Sequence, residues 1–392
     1  MRHTERTDEQ RLVVGLGFVL GLRQLALLLP LPFISVYGST LAHSTPALVG
    51  LSLGIYGLLQ AMLQIPFGRW SDVWGRKRLV LIGTALLIAG LFLAAAAQDI
   101  ATLIAARALQ GMGAVTAIAT AWIADGTAPE HRARAMGVAS LATGAAAIFS
   151  FIAGPLFYRI GTMPQMFTAC AALVTLVWLF LIFGVKADTP AAPSQAQGSV
   201  MSLLKNVPLR RFIFAGFLLN YIMMGVLFIV PLLIDETLGA RNLWQILIPA
   251  TVIGVAVMRF ATRYADGPYF GRIAALSFAA FLLSALSFLL GHPIIIGSGM
   301  ALFMAGYLIL SALLPAGVTR DIAPNQRGAA SGLFYTAQFL GAFSGGTFSG
   351  VLWGVHPSAA MNAVVIAAGL GLLVILRLSS HTSNPHADVS AE

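Results

Sequence analysis

The chain has 392 residues, of which 58% are hydrophobic and 9% charged, and its mean hydropathy is +0.87. A water-soluble domain carries about a quarter charged residues, so this composition excludes one and points to an integral membrane protein. The formal charge of +9 does not call for nucleic acid, because the cations gather in short segments between apolar runs. The single cysteine, Cys170, excludes an internal disulfide and a cysteine-based metal site.

The apolar runs are continuous rather than alternating, which predicts spanning helices and not a β-barrel. A spanning helix needs about 20 apolar residues. The sequence predicts twelve, over 12–37, 48–67, 79–97, 101–124, 135–157, 164–185, 212–234, 243–263, 272–290, 293–318, 329–353 and 359–378. The polar start (Arg2, Glu5, Arg6, Asp8, Glu9, Arg11) leads into an apolar stretch much longer than a signal-peptide core, so it reads as a retained first span. Residues 186–211, with Pro190, Pro193, Ser194, Gln195, Gln197 and Gly198, read as a linker. The expected division is a six-helix bundle over 1–185, a cytoplasmic linker over 186–211, a second six-helix bundle over 212–378 and a polar tail over 379–392.

An even number of spans puts both termini on one side. The loops on that side hold Arg76, Lys77, Arg78, Arg132, Arg134, Lys205, Arg210, Arg211, Arg263, Arg272, Arg320 and Arg327. The other side holds Arg159, Arg241, Asp99, Asp235 and Glu236. Cytoplasmic loops concentrate Lys and Arg, so both termini are expected in the cytoplasm. The chain also repeats itself. Asp72, Gly75 and Arg76 after the second span recur as Asp266, Gly271 and Arg272 after the eighth. Asp125, Pro129, Arg132 and Gly137 recur as Asp321, Pro324, Arg327 and Gly332. Two loops repeated at one offset argue for duplication. Parallel six-helix repeats with the substrate site between them, near the bilayer midplane, are how facilitator transporters are built.

The loop Gly68-Arg69-Trp70-Ser71-Asp72-Val73-Trp74-Gly75-Arg76-Lys77-Arg78 resembles the glycine, Asp, Gly-Arg-Lys signature of the major facilitator superfamily, which joins the second and third helices there. The resemblance implies an all-α integral membrane protein with the major facilitator fold, twelve transmembrane helices in two six-helix repeats. The run from Gly54 to Gly68, with Leu22-Arg23-Gln24 and Leu31-Pro32, resembles the drug:proton antiporter branch, and within it the YajR-type inner-membrane transporters. Those carry a soluble domain after the twelfth helix, which is expected to be absent here.

The same resemblance implies a conformational latch of Gly68, Asp72, Gly75, Arg76, Lys77, Asp125 and Arg132. In it Asp72 would cap the helix that starts near Gly328, and Arg76 would pair with Asp125. A carboxylate at a helix N-terminus meets unsatisfied N–H groups and a partial positive charge. Such a cap forms only when the halves close on the cytoplasmic side. Val73 departs from the usual cation after the Asp. The alternative reading is a topology signal alone.

Arg107 sits within the fourth span, and an intramembrane Arg costs at least about 2.5 kcal/mol at the helix centre unless it faces a polar interior. Its surroundings, Arg107-Ala-Leu-Gln110-Gly111, resemble the family's second motif, whose Arg is linked to proton coupling. Arg107, Gln110, Gly111 and, in the first span, Arg23 are therefore coupling candidates; the alternative is an Arg that bonds neighbouring carbonyls and holds helices together. No Asp or Glu falls in the middle of any predicted helix, which leaves proton coupling to loop acids or to the resemblance. Gly144 and Gly154-Pro155 partly resemble the antiporter motif, with Leu156-Phe157-Tyr158 where glycines usually follow; otherwise they mark a closely packed, kinked helix. Gly341, Gly345, Gly346 and Gly350 form two small-residue faces for packing.

Polar and aromatic residues on helix faces nominate a cavity: Phe33, Tyr56, Gln60, Gln64, Met112, Asn220, Tyr221, Tyr307, Ser311, Tyr335 and Gln338. Aromatics and Met with few charges suit amphipathic or lipophilic substrates, although interhelical hydrogen bonding explains any single one equally well. The chain has no Gly-x4-Gly-Lys-Ser/Thr loop, which excludes an ATP-driven pump on this chain alone. No hydrolase or metal constellation is present, so neither an enzyme nor a cofactor is expected. The resemblance implies a secondary active transporter of a bacterial inner membrane, with proton-coupled efflux of small amphipathic compounds by alternating access. The expected partners are a small-molecule substrate, protons and the lipid bilayer, and the expected state is a monomer. The alternative is a facilitator-type exporter or importer of a sugar, an amino-acid derivative or another metabolite.

Overall fold

The computed structural model describes residues 2–128, 130–185, 200–264, 269–320, 322–323 and 326–382. Within them the side chains of 2–8, 200–202 and 379–382 are left aside. The linker residues 186–199, the tail from 383, and Pro129, Asp266, Asp321 and Pro324 lie outside the described residues.

Twelve helical spans follow one another among the described residues. The first comprises Arg2–Leu28, a 3-10 turn Leu31–Phe33 and Ile34–Ser39. The second and third are Pro46–Trp74 and Arg76–Ala95. The fourth is split into Ile100–Met112 and Val115–Asp125. The fifth and sixth are Arg132–Ile160 and Met163–Gly184. A short helix, Val200–Lys205, precedes the seventh span, Val207–Leu238. The eighth to twelfth are Trp244–Thr262, Phe270–Phe288, Pro293–Arg320, Arg327–Val355 and Pro357–Thr382. Eleven of them are long and apolar enough to cross a membrane. Arg327–Val355 has the length too, but its Gly, Ser and Thr content makes it less apolar; it spends that content on packing.

Local chemistry sets several ends. The Thr45 hydroxyl accepts from Leu48 N at 3.3 Å and Pro46 fills the first helical position, where its missing N–H has no partner to lose. Asp99 caps the fourth span, accepting from Thr102 N at 2.8 Å. Thr162 and Gln165 form a capping box on the sixth.

Two spans differ from the single helices that their apolar runs predict. The first breaks where Pro30 and Pro32 withhold N–H groups from the ladder. The fourth breaks at Gly113 and Ala114, whose backbones (φ −76°, ψ 63° and φ −72°, ψ 56°) leave the helical region. The seventh is longer than the 212–234 expected. It starts at Val207 with Asn206 as its cap, carries Arg210 and Arg211 in its first turns and runs to Leu238.

The first six spans meet the last six along one seam, chiefly the second span against the eleventh. Glycine makes this approach possible. A Cβ on Gly50 would lie 2.5 Å from Gly346 O, on Gly54 2.5 Å from Phe343 O, and on Gly57 2.5 Å from Phe339 O. The spacing 50, 54, 57 keeps all three on one helix face. The seam is therefore backbone on backbone from Pro46 and Gly350 down to Gly57 and Phe339. Beyond that depth it opens: a Cβ on Gly68 in the second span, or on Gly328 or Gly332 in the eleventh, would meet nothing within 4 Å. The molecule is thus closed on the side bearing Asp99 and open on the side bearing Asp72.

Candidate functional site

The loop after the second span folds around Gly75, which sits at φ +92°, a backbone region that side chains disfavour. This turn brings Arg76, the first residue of the third span, back over the end of the second. Arg76 Nη1 lies 2.8 Å from Asp72 Oδ1 and donates to Ser71 Oγ at 2.6 Å. Arg76 Nε donates to Asp125 Oδ2 at 3.2 Å, tying the loop to the end of the fourth span. Lys77 Nζ donates to the carbonyls of Ile182, at 3.0 Å, and Val185. These are the last carbonyls of the sixth span, where a cation meets the negative helix end. Arg132 starts the fifth span and is exposed.

The expected cap of the eleventh span by Asp72 is not formed in this structure: Gly328 has open space around it, and Asp72 holds Arg76 instead. The reason is the opening itself, which separates the second span from the start of the eleventh.

Deeper in the bundle lie two buried guanidiniums. Arg107 is 1% exposed. Its Nε donates to Ser52 O at 3.3 Å and its Nη1 to Gln110 Oε1 at 2.6 Å, while Gln110 Nε2 donates to Gly90 O at 3.1 Å. The guanidinium lies 5.4 Å from the centre of the Tyr56 ring. Gly111 lets the fourth span press against the Tyr56 backbone. Arg23 is 4% exposed. It donates to Thr116 Oγ1 at 3.0 Å, Gln60 Oε1 at 2.9 Å and Gly113 O at 3.1 Å. The polar residues Tyr56 and Gln60, nominated for a cavity, thus serve these two arginines.

The other cavity candidates divide. Phe33 is fully buried and stacks on Tyr158 at 4.4 Å. Tyr307 stacks on Phe303 at 5.9 Å, and Ser311 donates to the Leu308 carbonyl of its own helix. Asn220 Nδ2 reaches Gly216 O at 3.5 Å. Tyr221 stacks on Phe217, and its backbone carries Gly345 of the eleventh span. Gln64, Met112 and Gln338 are half-buried and Tyr335 is 40% exposed. Gln64 Oε1 is buried with no hydrogen-bond partner. Of the antiporter-motif residues, Gly154 packs against Leu29 O beside the break in the first span, next to Pro155, whereas Gly144 has open space around it.

Sequence reasoning missed the closure on the Asp99 side. There Arg159, at the end of the fifth span, lies 4.9 Å from the centre of the Trp244 ring at the start of the eighth. It also missed the glycine face 50, 54, 57, whose helical spacing was visible, and the break at Gly113.

A polytopic helical protein whose two sets of six spans meet along one central seam, open at one end, has the form of a membrane transporter rather than of an enzyme. The chain belongs to the Major Facilitator Superfamily, whose sequence pattern matches residues 13–346. It is 28% identical to the inner membrane transport protein YajR of Escherichia coli (strain K12), over 96% of this chain and 84% of that protein. It is 25% identical to the multidrug resistance protein MdtL of Vibrio parahaemolyticus over 88% of each. Its fold matches a bacterial homologue of the human lysosomal transporter Spinster, solved inward-facing and occupied, with a TM-score of 0.76 and 14% identity over 96% of this chain and 97% of that one.

Proposed function

We propose that this transporter moves small amphipathic compounds out of a bacterial cell across the inner membrane, coupled to protons, by alternating access, and that it does so as a monomer with both termini in the cytoplasm. The observation that carries the reading is the asymmetric seam. A carrier of this class rocks its halves about a central site, and a seam closed by glycine-mediated backbone contact on the Asp99 side and open at Gly68, Gly328 and Gly332 is one end state of that motion. The cation-rich loops of the Asp72 side orient it, since such loops stay in the cytoplasm. The open side then faces the cytoplasm, where an exporter collects its substrate.

The latch completes the cycle. When the cytoplasmic side closes, Asp72 reaches the N-terminus of the eleventh span, and Arg76, already held by Asp125, keeps the loop in place. The likeness to a multidrug resistance protein supports efflux, and the acids available for coupling are those of the loops. Accumulation of a panel of fluorescent amphipathic cations and anions in efflux-deficient cells, with and without an uncoupler, tests the reading. Expression lowers accumulation of at least one dye and the uncoupler restores it. Unchanged accumulation of every dye by cells that hold the protein in the membrane contradicts it.

A further inference from the structure

The break in the fourth span leaves a helix N-terminus deep inside the bundle. Gly113 lies midway along Ile100–Asp125, and the half-helix Val115–Asp125 that starts beyond it has eleven residues. Its first amides lack the carbonyls that a continuous helix would supply. The backbone bonds at the break are Ala114 N to Met112 O at 2.9 Å and Val115 N to Gly113 O at 2.7 Å. Thr116 and Ala117 follow in the first turn of the half-helix, at its positive end. Thr116 and Thr120 lie half-exposed on one face with Ala117 exposed between them, so the face is polar and small.

Arg23 is a separate observation from another span. It is 4% exposed, and its guanidinium is aimed at the break: Nη1 donates to Thr116 Oγ1 at 3.0 Å and Nη2 to Gly113 O at 3.1 Å. Its Nε is buried with no hydrogen-bond partner. Arg107 adds a second buried positive charge on the half-helix just before the break. No carboxylate among the described residues pairs with either arginine. A charge in low dielectric is costly unless it is paired, and here two cations and a helix N-terminus gather with no acid. Broken helices whose half-helix N-termini point at anionic substrate groups are a known way to build a transporter site.

We infer that the break at Gly113–Val115, with Arg23 and Thr116, is the subsite for an anionic group, and that the transported compounds carry a carboxylate or a similar acid on an apolar body. This rests on the transporter reading and narrows its substrate class. The Arg23 Nε–H and the first-turn amides of the half-helix supply the donors, and the Thr116 hydroxyl, which accepts from Arg23 Nη1, orients the guanidinium.

The test is a binding titration on the purified full chain in nanodiscs, with dansyl-leucine as the anionic probe and its methyl ester as the neutral match. The carboxylate binds about tenfold more tightly than the ester, the scale of a charge-assisted hydrogen bond. Arg23→Gln brings that ratio close to one, Arg23→Lys keeps part of it, and Thr116→Val lowers it while leaving the ester's affinity in place. Equal affinity for the two probes, a preference that survives Arg23→Gln, or binding of neither probe overturns the inference. If Arg23→Gln does not fold, Thr116→Val and the wild-type ratio decide. Counterflow of the same probe in proteoliposomes is scored separately. A carboxylate preference that follows Arg23, without counterflow, leaves the subsite standing and removes the transport reading.

Discussion

Replacement of Gly54 by alanine tests how the seam holds its closed end. The added methyl would lie 2.5 Å from Phe343 O and 2.7 Å from Thr347 Oγ1. Ordinary contact begins near 3.4 Å, so the second and eleventh spans must part by about 0.9 Å. The nearest obstacle is backbone, which cannot swing away as a side chain would. Overpacking of this kind costs about 1–3 kcal/mol. The cost falls only on the state closed on the Asp99 side, so the equilibrium moves about 5- to 150-fold toward the other state. Spin labels read this directly. One pair spans the Asp72 side at Val73 and Gly328, and a second spans the Asp99 side at Thr40 and Leu238; the native thiol, Cys170, is buried. Gly54→Ala shortens the first distance and lengthens the second. Gly137→Ala, where a Cβ meets nothing within 4 Å, changes neither. If a folded Gly54→Ala protein keeps the wild-type distances, the glycine face does not control the seam and the argument fails.

Three further outcomes follow from named contacts. Asp72→Asn removes the charge that holds Arg76 here and that, on the proposed latch, caps the eleventh span in the opposite state; transport falls while the amount of membrane protein stays the same, and equal transport by the variant sinks the latch. Arg159→Gln removes the cation–π contact to Trp244, which is worth about 0.5–1 kcal/mol at an exposed site, so the Asp99-side label pair shifts in the same direction as with Gly54→Ala but by only about two- to fivefold in population; no shift means the contact does not hold the gate. The Asp99 carboxyl has its pKa held below the usual value, first by the Thr102 backbone N–H and then by the Thr102 hydroxyl. A depressed pKa adds stability that is present above the unfolded value of about 3.9 and disappears as pH falls through the folded one. Thermal melts of wild type and Asp99→Ala therefore differ by a constant gap above about pH 4 that narrows as the pH is lowered further, and a gap that is already closed at neutral pH or that widens on acidification refutes the assignment.

The spans were legible because hydrophobic length alone specifies them in a bilayer, and the loop signature was legible because it concentrates charge in a chain that is only 9% charged. The breaks were not. Gly113 lies in an apolar run that reads as one helix, and the carbonyl exposed at its bend is bonded by Arg23, ninety residues away. Tyr56 and Gln60 share the surface spacing of cavity-lining residues, yet the arginines that claim them come from other spans, which no spacing reveals. Phe33 has the chemistry of a pocket wall but stacks on Tyr158 in the closed end of the seam. The latch shows a different limit. Asp72 and Arg76 are neighbours in sequence and pair here, but the proposed exchange of Arg76 for the eleventh span would depend on which side of the molecule is open, a property of a state rather than of a sequence.

The proposed proton-coupled carriage is decided with the purified protein in proteoliposomes under an imposed pH gradient, recording an amphipathic fluorescent substrate and the internal pH together. The expected result is that the substrate moves against its own gradient, that protons move the opposite way, and that both fluxes fall together in Asp72→Asn. Substrate that runs only down its gradient with no proton movement, or single-channel current steps, would contradict it.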